Sequence, residues 1–332
     1  MENQKGILVV ALTQRGKLLP AAFELLTAGR ALADTLKEPL AAIVLGDAVA
    51  GFAQDLIDAG ADKVFVVENA ALANFNDELH TKAVAEIAEA GKFGKILVPA
   101  SVAGRALSAR LAVRLKAGLA AEATEVYQNG VGFKAKRSQY SGNIVSEIEF
   151  KAPVQVVSVQ GLAYPRAEKK AGRTGEIVKA AFDPGQSRIQ FVGYQADESN
   201  EIDLGAAEKI VSGGRGLGNA DGFKMLRDLA HLIGAAIGAS RAVVDSGWIA
   251  YRHQVGLTGR AVRPKLYIAC GISGQIQHLA GMSSSGTIVA INTDATCPLM
   301  EIASIGVVGD VNEIVPAMIA EIKARRGAGV TA

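Results

Sequence analysis

Leu266-Tyr-Ile-Ala-Cys-Gly-Ile-Ser-Gly-Gln-Ile-Gln-His-Leu-Ala-Gly-Met282 is the stretch that decides the fold. Residues 266–269 form a short apolar run of strand character, a Gly-Ile-Ser-Gly turn follows, and residues 273–280 then read as a helix. A strand feeding a helix through a glycine turn is half of a βαβ unit, because parallel strands are joined by such crossovers. The rhythm extends in both directions. Further strand candidates lie at 209–211, 242–244, 288–291 and 305–308, with helix candidates at 222–237 and 312–325. Toward the start, strands at 6–12, 40–45, 64–67 and 96–99 alternate with amphipathic segments at 19–36, 52–59, 79–90 and 103–115.

Between these two runs the pattern changes. Residues 127–160 break into short alternating runs, which predict antiparallel strands appended to the first sheet. Residues 164–203 are polar, with one strand-like piece at 189–194 and the run Asp197-Glu198-Ser199-Asn200-Glu201, and read as the connection out of the first domain. The expected class is therefore α/β: two tandem domains, 1–198 and 199–332, with mostly parallel sheets, the second of them Rossmann-like.

Composition removes several functions. With 35 Lys+Arg against 33 Asp+Glu the net charge is +2, and no long basic stretch offers the footprint of a nucleic-acid binder. No apolar run reaches the length of a membrane span and the opening residues lack a signal-peptide pattern, so the chain is not expected to be an integral membrane protein, and a cytoplasmic location is expected. Cys270 and Cys297 have no paired-cysteine spacing, and the four histidines are not spaced as metal ligands, so no metal site is expected. P-loop, GxSxG and HExxH signatures are absent, and no general base, nucleophile or catalytic constellation stands out.

What does stand out is the placing of small and polar residues around the later strand candidates. Ser212-Gly-Gly-Arg-Gly216 follows one strand, Gly238-Ala-Ser-Arg241 precedes another, and Gly271-Ile-Ser-Gly274 follows a third. Gln254-Val-Gly-Leu-Thr-Gly259 and Asn292-Thr-Asp294 join the same group. Loops at the carboxyl ends of strands in an open α/β sheet share one edge, and ligands bind there. Glycines allow close backbone approach, while hydroxyls and arginine forks receive phosphate oxygens, so the set suits a dinucleotide.

Three of these segments strongly resemble the alpha subunit of electron-transfer flavoproteins: Gly238-Ala-Ser-Arg-Ala-Val-Val-Asp245, Gln254-Val-Gly-Leu-Thr-Gly259 and above all 266–282. The resemblance runs through Ile288-Val-Ala-Ile-Asn292 and Gly306-Val-Val-Gly-Asp310, covers the second domain in order, and agrees with the looser pattern of the first. It implies an FAD-binding second domain, a first domain that packs with a homologous beta subunit in a heterodimer, and an electron carrier rather than an enzyme. Such a carrier takes electrons from flavin dehydrogenases such as acyl-CoA dehydrogenases and passes them to a quinone-side or ferredoxin-type acceptor. Simple transfer and flavin-based bifurcation both remain open, because a bifurcating flavin would lie largely in the beta subunit. The competing reading is an NAD- or CoA-dependent enzyme with a related dinucleotide-binding fold.

Carried over position by position, the resemblance implies FAD contacts from Arg215, Ser240, Arg241, Gln254, Val255, Gly256, Leu257, Thr258, Ser273, Gly274, Gln275, Ile276, Gln277, His278, Asn292 and Asp310. Arg215, Ser240 and Ser273 are assigned to the pyrophosphate and Thr258 to the flavin N5. Arg241 and His278 are candidates for the cation or donor beside the N1–C2=O edge, where reduction places negative charge. Asn292 and Asp310 would reach the adenosine end. Ser273 is expected to meet phosphate where its strand turns into a helix.

Overall fold

The computed structural model describes residues 5–129, 132–140, 144–194, 204–205 and 207–327, and the chain divides into two compact units, Met1–Gln195 and Ala196–Ala332. The expected boundary between 198 and 199, and the polar run from Asp197 to Glu201, lie outside the described residues.

The first unit begins with β1 (Ile7–Ala11), whose side chains are all buried. Ile7, Val9 and Ala11 enter one core while Leu8 and Val10 enter another, so the strand is apolar on both faces, as a parallel strand covered on both sides must be. A two-stranded ribbon of β2 (Thr13–Gln14) and β3 (Lys17–Leu18) follows. Next come α1 (Ala21–Leu36), β4 (Leu40–Gly46), α2 (Ala53–Asp58), β5 (Lys63–Glu68), α3 (Asp77–Ala90), β6 (Lys95–Pro99) and α4 (Val102–Arg114). Asn76 accepts from the amides of Glu78 and Leu79 and so starts α3; Ser101 accepts from Gly104 and starts α4. The remaining strands are β7 (Gly118–Asn129), β8 (Gly132–Gln139), β9 (Ile144–Glu149), β10 (Gln155–Val159) and β11 (Glu176–Lys179). Among the described residues they complete a nine-stranded sheet in the order β11-β5-β4-β1-β6-β10-β7-β8-β9.

Two sequence expectations change here. The appended antiparallel strands are β7 to β9, but β10 runs parallel to both β6 and β7 and sits between them. Its Val156 and Val157 are wholly buried, as an interior strand requires. No strand forms at 189–194; the strand of that polar stretch is β11, a short exposed edge that pairs with β5.

The second unit contains β12 (Lys209–Gly213), α5 (Gly222–Ile233), β13 (Ala236–Ala239), α6 (Arg241–Asp245), β14 (Leu266–Cys270), α7 (Ile276–Leu279), β15 (Thr287–Asn292), α8 (Pro298–Ile302), β16 (Ile305–Val308) and α9 (Val311–Gly327). All five strands are parallel, in the order β13-β12-β14-β15-β16. Both faces are again apolar: Val211, Ile268 and Ile291 pack on one side, Ile210, Tyr267 and Ala290 on the other.

The expected strand at 242–244 is in fact the helix α6, and the strand lies earlier, at 236–239, overlapping the end of the expected helix 222–237. Gly234 ends α5 in the left-handed region at φ 66°, its amide donating to the carbonyls of Ala230 and His231. The expected helix at 273–280 shortens to α7, because Gly274 has φ +83° and is held against Leu299, where a Cβ would lie 2.4 Å from the backbone nitrogen.

Candidate functional site

The strand order of the second unit reverses between β12 and β14, since the chain first steps to β13 on one side and then returns to build outward on the other. At such a point the loops leaving the two central strands diverge and open a crevice at their carboxyl ends. Here they are glycine loops that touch. Gly214 donates to the Cys270 carbonyl at 2.9 Å and Gly216 to the Gly271 carbonyl at 3.0 Å. A Cβ on Gly271 would lie 2.6 Å from the Gly216 Cα, and its φ of +64° is itself a conformation that L side chains rarely adopt.

Above this floor is a cavity of about 520 Å³. One wall is the stretch 254–258, which joins the edge of the sheet: Gln254 bridges to Ala239, and Arg260, just beyond the lining, donates back to the Gln254 carbonyl at 2.8 Å. Leu257 donates to the Gln277 carbonyl at 2.7 Å and ties this wall to α7. The opposite wall is the turn Gly271 to Gln275, with Asn292 behind it. Asn292 is occupied structurally: its amide donates to the Ile272 carbonyl at 3.0 Å and its oxygen accepts from the Asp294 backbone.

Of the residues expected at the site, all but Ile276 and Asp310 line this cavity. Ile276 is 58% exposed on α7, outside the lining. Asp310 instead accepts from the backbone and side-chain amides of Asn312 at the start of α9. Asp245, Gly216 and Gly271 line the cavity without having been singled out from sequence as ligand contacts. For Asp245 a signal existed, since it follows Arg241 by four residues and pairs with it at 3.1 Å across one helical turn.

The polar groups of the lining fall into two kinds. Arg215, Ser240 and Ser273 make no side-chain hydrogen bond to any described residue, and Ser240 stands at the start of α6 without capping it. The helix start expected at Ser273 lies further on, with Gln275 at the cap, so Ser273 contributes as a hydroxyl in a loop. Thr258 and His278 are held from behind. Gln254, 2% exposed, donates from Nε2 to Thr258 Oγ1 at 2.9 Å, so the hydroxyl keeps its own proton for a further acceptor. His278 is 6% exposed, and its Nε2 lies 3.0 Å from the Tyr267 hydroxyl. Burial pushes the imidazole down to about 4, with a weaker backbone interaction from Val255 acting the other way. The ring is therefore neutral at pH 7, and in the lining it is a hydrogen-bond group rather than a second cation beside Arg241. Cys270, under the floor, is inert: burial raises its thiol to about 12.

A parallel sheet with a glycine-floored crevice at its switch point, walled by an arginine and hydroxyls without protein partners and by a neutral imidazole, has the features of a dinucleotide-binding α/β unit. Residues 203–283 match the family described as "Electron transfer flavoprotein FAD-binding domain", and residues 7–184 match "Electron transfer flavoprotein domain". The chain is 43% identical to the electron transfer flavoprotein subunit alpha of Thermoanaerobacterium thermosaccharolyticum over 329 residues, covering 97% of this chain and 99% of the relative. It is 39% identical to the same subunit of Megasphaera elsdenii (98% and 99% covered) and 37% identical to Protein FixB of Clostridium saccharobutylicum (97% and 97%). The chain belongs to the electron transfer flavoprotein alpha-subunit family, and its second unit is an FAD-binding domain. Among the described residues no helix is long and apolar enough to cross a membrane.

Proposed function

We propose that the chain pairs with a homologous beta subunit and carries electrons on FAD from flavin dehydrogenases, such as acyl-CoA dehydrogenases, to a quinone-side or ferredoxin-type acceptor. Arg215, Ser240 and Ser273 would hold the diphosphate, while Thr258, Arg241 and His278 would face the isoalloxazine. Asn292, fixed between two loops, would limit the adenosine end, with Asp310 further along the same sheet edge. The observation that carries this reading is the set of donors left without a protein partner in the cavity, next to a buried imidazole whose Nδ1 lacks a hydrogen bond among the described residues. Buried polar groups are normally paired, so such a group argues for a bound acceptor.

When bound, the flavin supplies reversible one- and two-electron redox chemistry. The residues' share is binding and charge. Arg241 brings a positive charge that favours the reduced state, moderated by its pairing with Asp245 and by its exposure. Thr258 offers a proton, oriented by Gln254. The titratable groups named in the lining are committed to other roles in this reading: Asp245 pairs with Arg241, and burial makes the His278 imidazole a weak base.

The pairing is supported by an exposed apolar segment on the first unit, where Val192 is 97% exposed and Ile189, Phe191 and Tyr194 each more than two-fifths. Cytoplasmic residence belongs to the same proposal and is supported by two buried cysteines left unbridged. The test is to co-purify this chain with its partner, record the visible spectrum and count flavins per complex. Flavin absorbance in a heterodimer is expected, whereas a colourless NAD-binding homomer overturns the reading.

A further inference from the structure

Beneath the cavity, Tyr267 on β14 is completely buried in an apolar cluster, yet carries a hydroxyl. That hydroxyl has one proton to place and lies 3.0 Å from His278 Nε2. The neighbouring hydroxyl of Ser212 on β12 is also wholly buried, and its Oγ has no partner within hydrogen-bond geometry. A buried O–H without an acceptor is costly, so the Tyr267 proton points at Nε2. Nε2 then accepts, and a neutral imidazole that accepts at Nε2 must carry its hydrogen at Nδ1. Nδ1 is the ring atom left without a hydrogen-bond partner, in a side chain that lines the cavity. The opposite arrangement would leave the buried Tyr267 proton only the Ser212 oxygen, which interacts with the phenol but lies outside hydrogen-bond geometry, and would leave a buried Nδ1 lone pair with no donor.

We propose that Tyr267 is a positioning residue: by donating to Nε2 it locks His278 in the Nδ1–H tautomer, so that the imidazole presents a neutral N–H donor to an acceptor atom of the bound cofactor. This rests on the reading that the cavity holds FAD with its ring toward His278, and it adds a residue that touches no ligand. Tyr267 is absent from the lining, and its role is to decide which nitrogen of its neighbour carries the proton.

The experiment labels the histidines of this chain with 15N in the assembled flavoprotein and reads the ring nitrogens of His278, assigned by its loss in His278→Asn. The unsubstituted protein is expected to show a protonated Nδ1 and an unprotonated Nε2. Tyr267→Phe, which removes only the hydroxyl, is expected to shift His278 toward the Nε2–H form and to lower the flavin midpoint potential, while FAD affinity falls by no more than about tenfold, as for one hydrogen bond. An Nε2–H tautomer in the unsubstituted protein overturns the proposal by itself, even if Tyr267→Phe does not fold. An unchanged tautomer and potential in a folded Tyr267→Phe also overturns it. Either result leaves the FAD reading intact; a protein that never binds FAD removes that reading, whatever the tautomer.

Discussion

The two sheets of this chain follow the same rule of construction and end differently at their carboxyl edges. In the first unit the order reverses beside β1, with β4 and β5 on one side and β6 on the other, which creates a crevice of the kind that β12 and β14 create in the second. There, however, the edge groups are spent on the protein. Thr13 donates its hydroxyl to the Leu45 carbonyl, Glu68 accepts from the amides of Val49 and Ala50, and Ser101 caps α4. The β2–β3 ribbon returns the chain so that Leu19 donates to the Leu12 carbonyl. A cavity of about 230 Å³ in this unit lies beside the ends of α3 and α4, at the amino edge of the sheet. In the second unit Arg215, Ser240 and Ser273 are unspent at the carboxyl edge. Topology supplies a crevice in both, and what separates a binding unit from a scaffold is whether the edge donors already have partners.

The sharpest way to break this comparison is to fill one glycine in each unit. Gly271→Ala forces a side chain into a left-handed position and against the Gly216 backbone, at an expected cost of roughly 3–5 kcal/mol, and should abolish flavin absorbance. Gly104→Ala meets the Pro99 carbonyl, where a Cβ would lie 1.7 Å away, and should destabilise the first unit comparably while flavin stays bound below the transition. Thermal melts followed at the visible band and in the far ultraviolet separate the two. If Gly104→Ala loses flavin before it loses structure, the first unit is no mere scaffold.

A smaller effect tests the unspent donors directly. Arg215→Ala combined with Ser273→Ala should remove roughly 2–4 kcal/mol of binding and release FAD during gel filtration, with melting of the apo chain nearly unchanged because neither side chain bonds to the described protein. Ser101→Ala should do the reverse: about 1 kcal/mol of stability lost with the cap, and flavin retained.

Each unit also buries one histidine whose pKa burial lowers to about 4: His80, whose Nδ1 lies 3.0 Å from the Asn76 carbonyl, and His278. The unfolded chain takes up these protons below about pH 6.5, but the folded chain does so only near pH 4. Stability is therefore full above pH 6.5 and falls as the pH drops through that window, by about 2 kcal/mol per histidine at pH 5. Urea unfolding at pH 7 and pH 5 measures it, and His80→Leu should remove one of the two contributions. An equal pH dependence in that variant would show that His80 is not held neutral.

The contrast between the units was only partly legible in the sequence. The alternation of apolar runs and helices was, because both sheets are buried on both faces and their strands are rich in Val, Ile and Leu. Strand β13 was not: Ala-Ile-Gly-Ala has the composition of a helix tail, and it forms a strand because Gly234 stops α5 and because Gly238 lets the chain pass close to Ser212. The β-branched pairs of Ala242-Val-Val244 and of residues 189–194 misled in the opposite direction, since propensity without a pairing partner does not make a strand. The lining could be read because its glycine and hydroxyl turns follow strands. Tyr267 was not visible as a functional residue, because on sequence it is one more apolar position of β14, and only the three-dimensional approach of His278 gives its hydroxyl a role.

The finest test compares two threonines. Thr13, after β1, donates its hydroxyl to the Leu45 carbonyl at 3.0 Å; Thr258, in the cavity wall, accepts from Gln254 and keeps its proton. Thr13→Ala leaves a partly buried carbonyl without that donor and should cost the first unit about 1 kcal/mol, with no change in the flavin spectrum. Thr258→Ala should barely move the melting of the chain, because the group it abandons is the Gln254 amide and the main support of that wall is backbone pairing with Ala239 and Gln277. One hydrogen bond contributes about 0.5–1.5 kcal/mol to affinity, so FAD should remain bound, yet the lost proton lies where the ring is proposed to sit, so absorbance and midpoint potential should both shift. Gln254→Leu should reproduce part of that shift without touching Thr258 itself, since it frees the hydroxyl to rotate. If Thr258→Ala releases the cofactor with its spectrum unaltered while the Arg215 and Ser273 pair can be removed without loss, the dinucleotide runs the other way along the crevice.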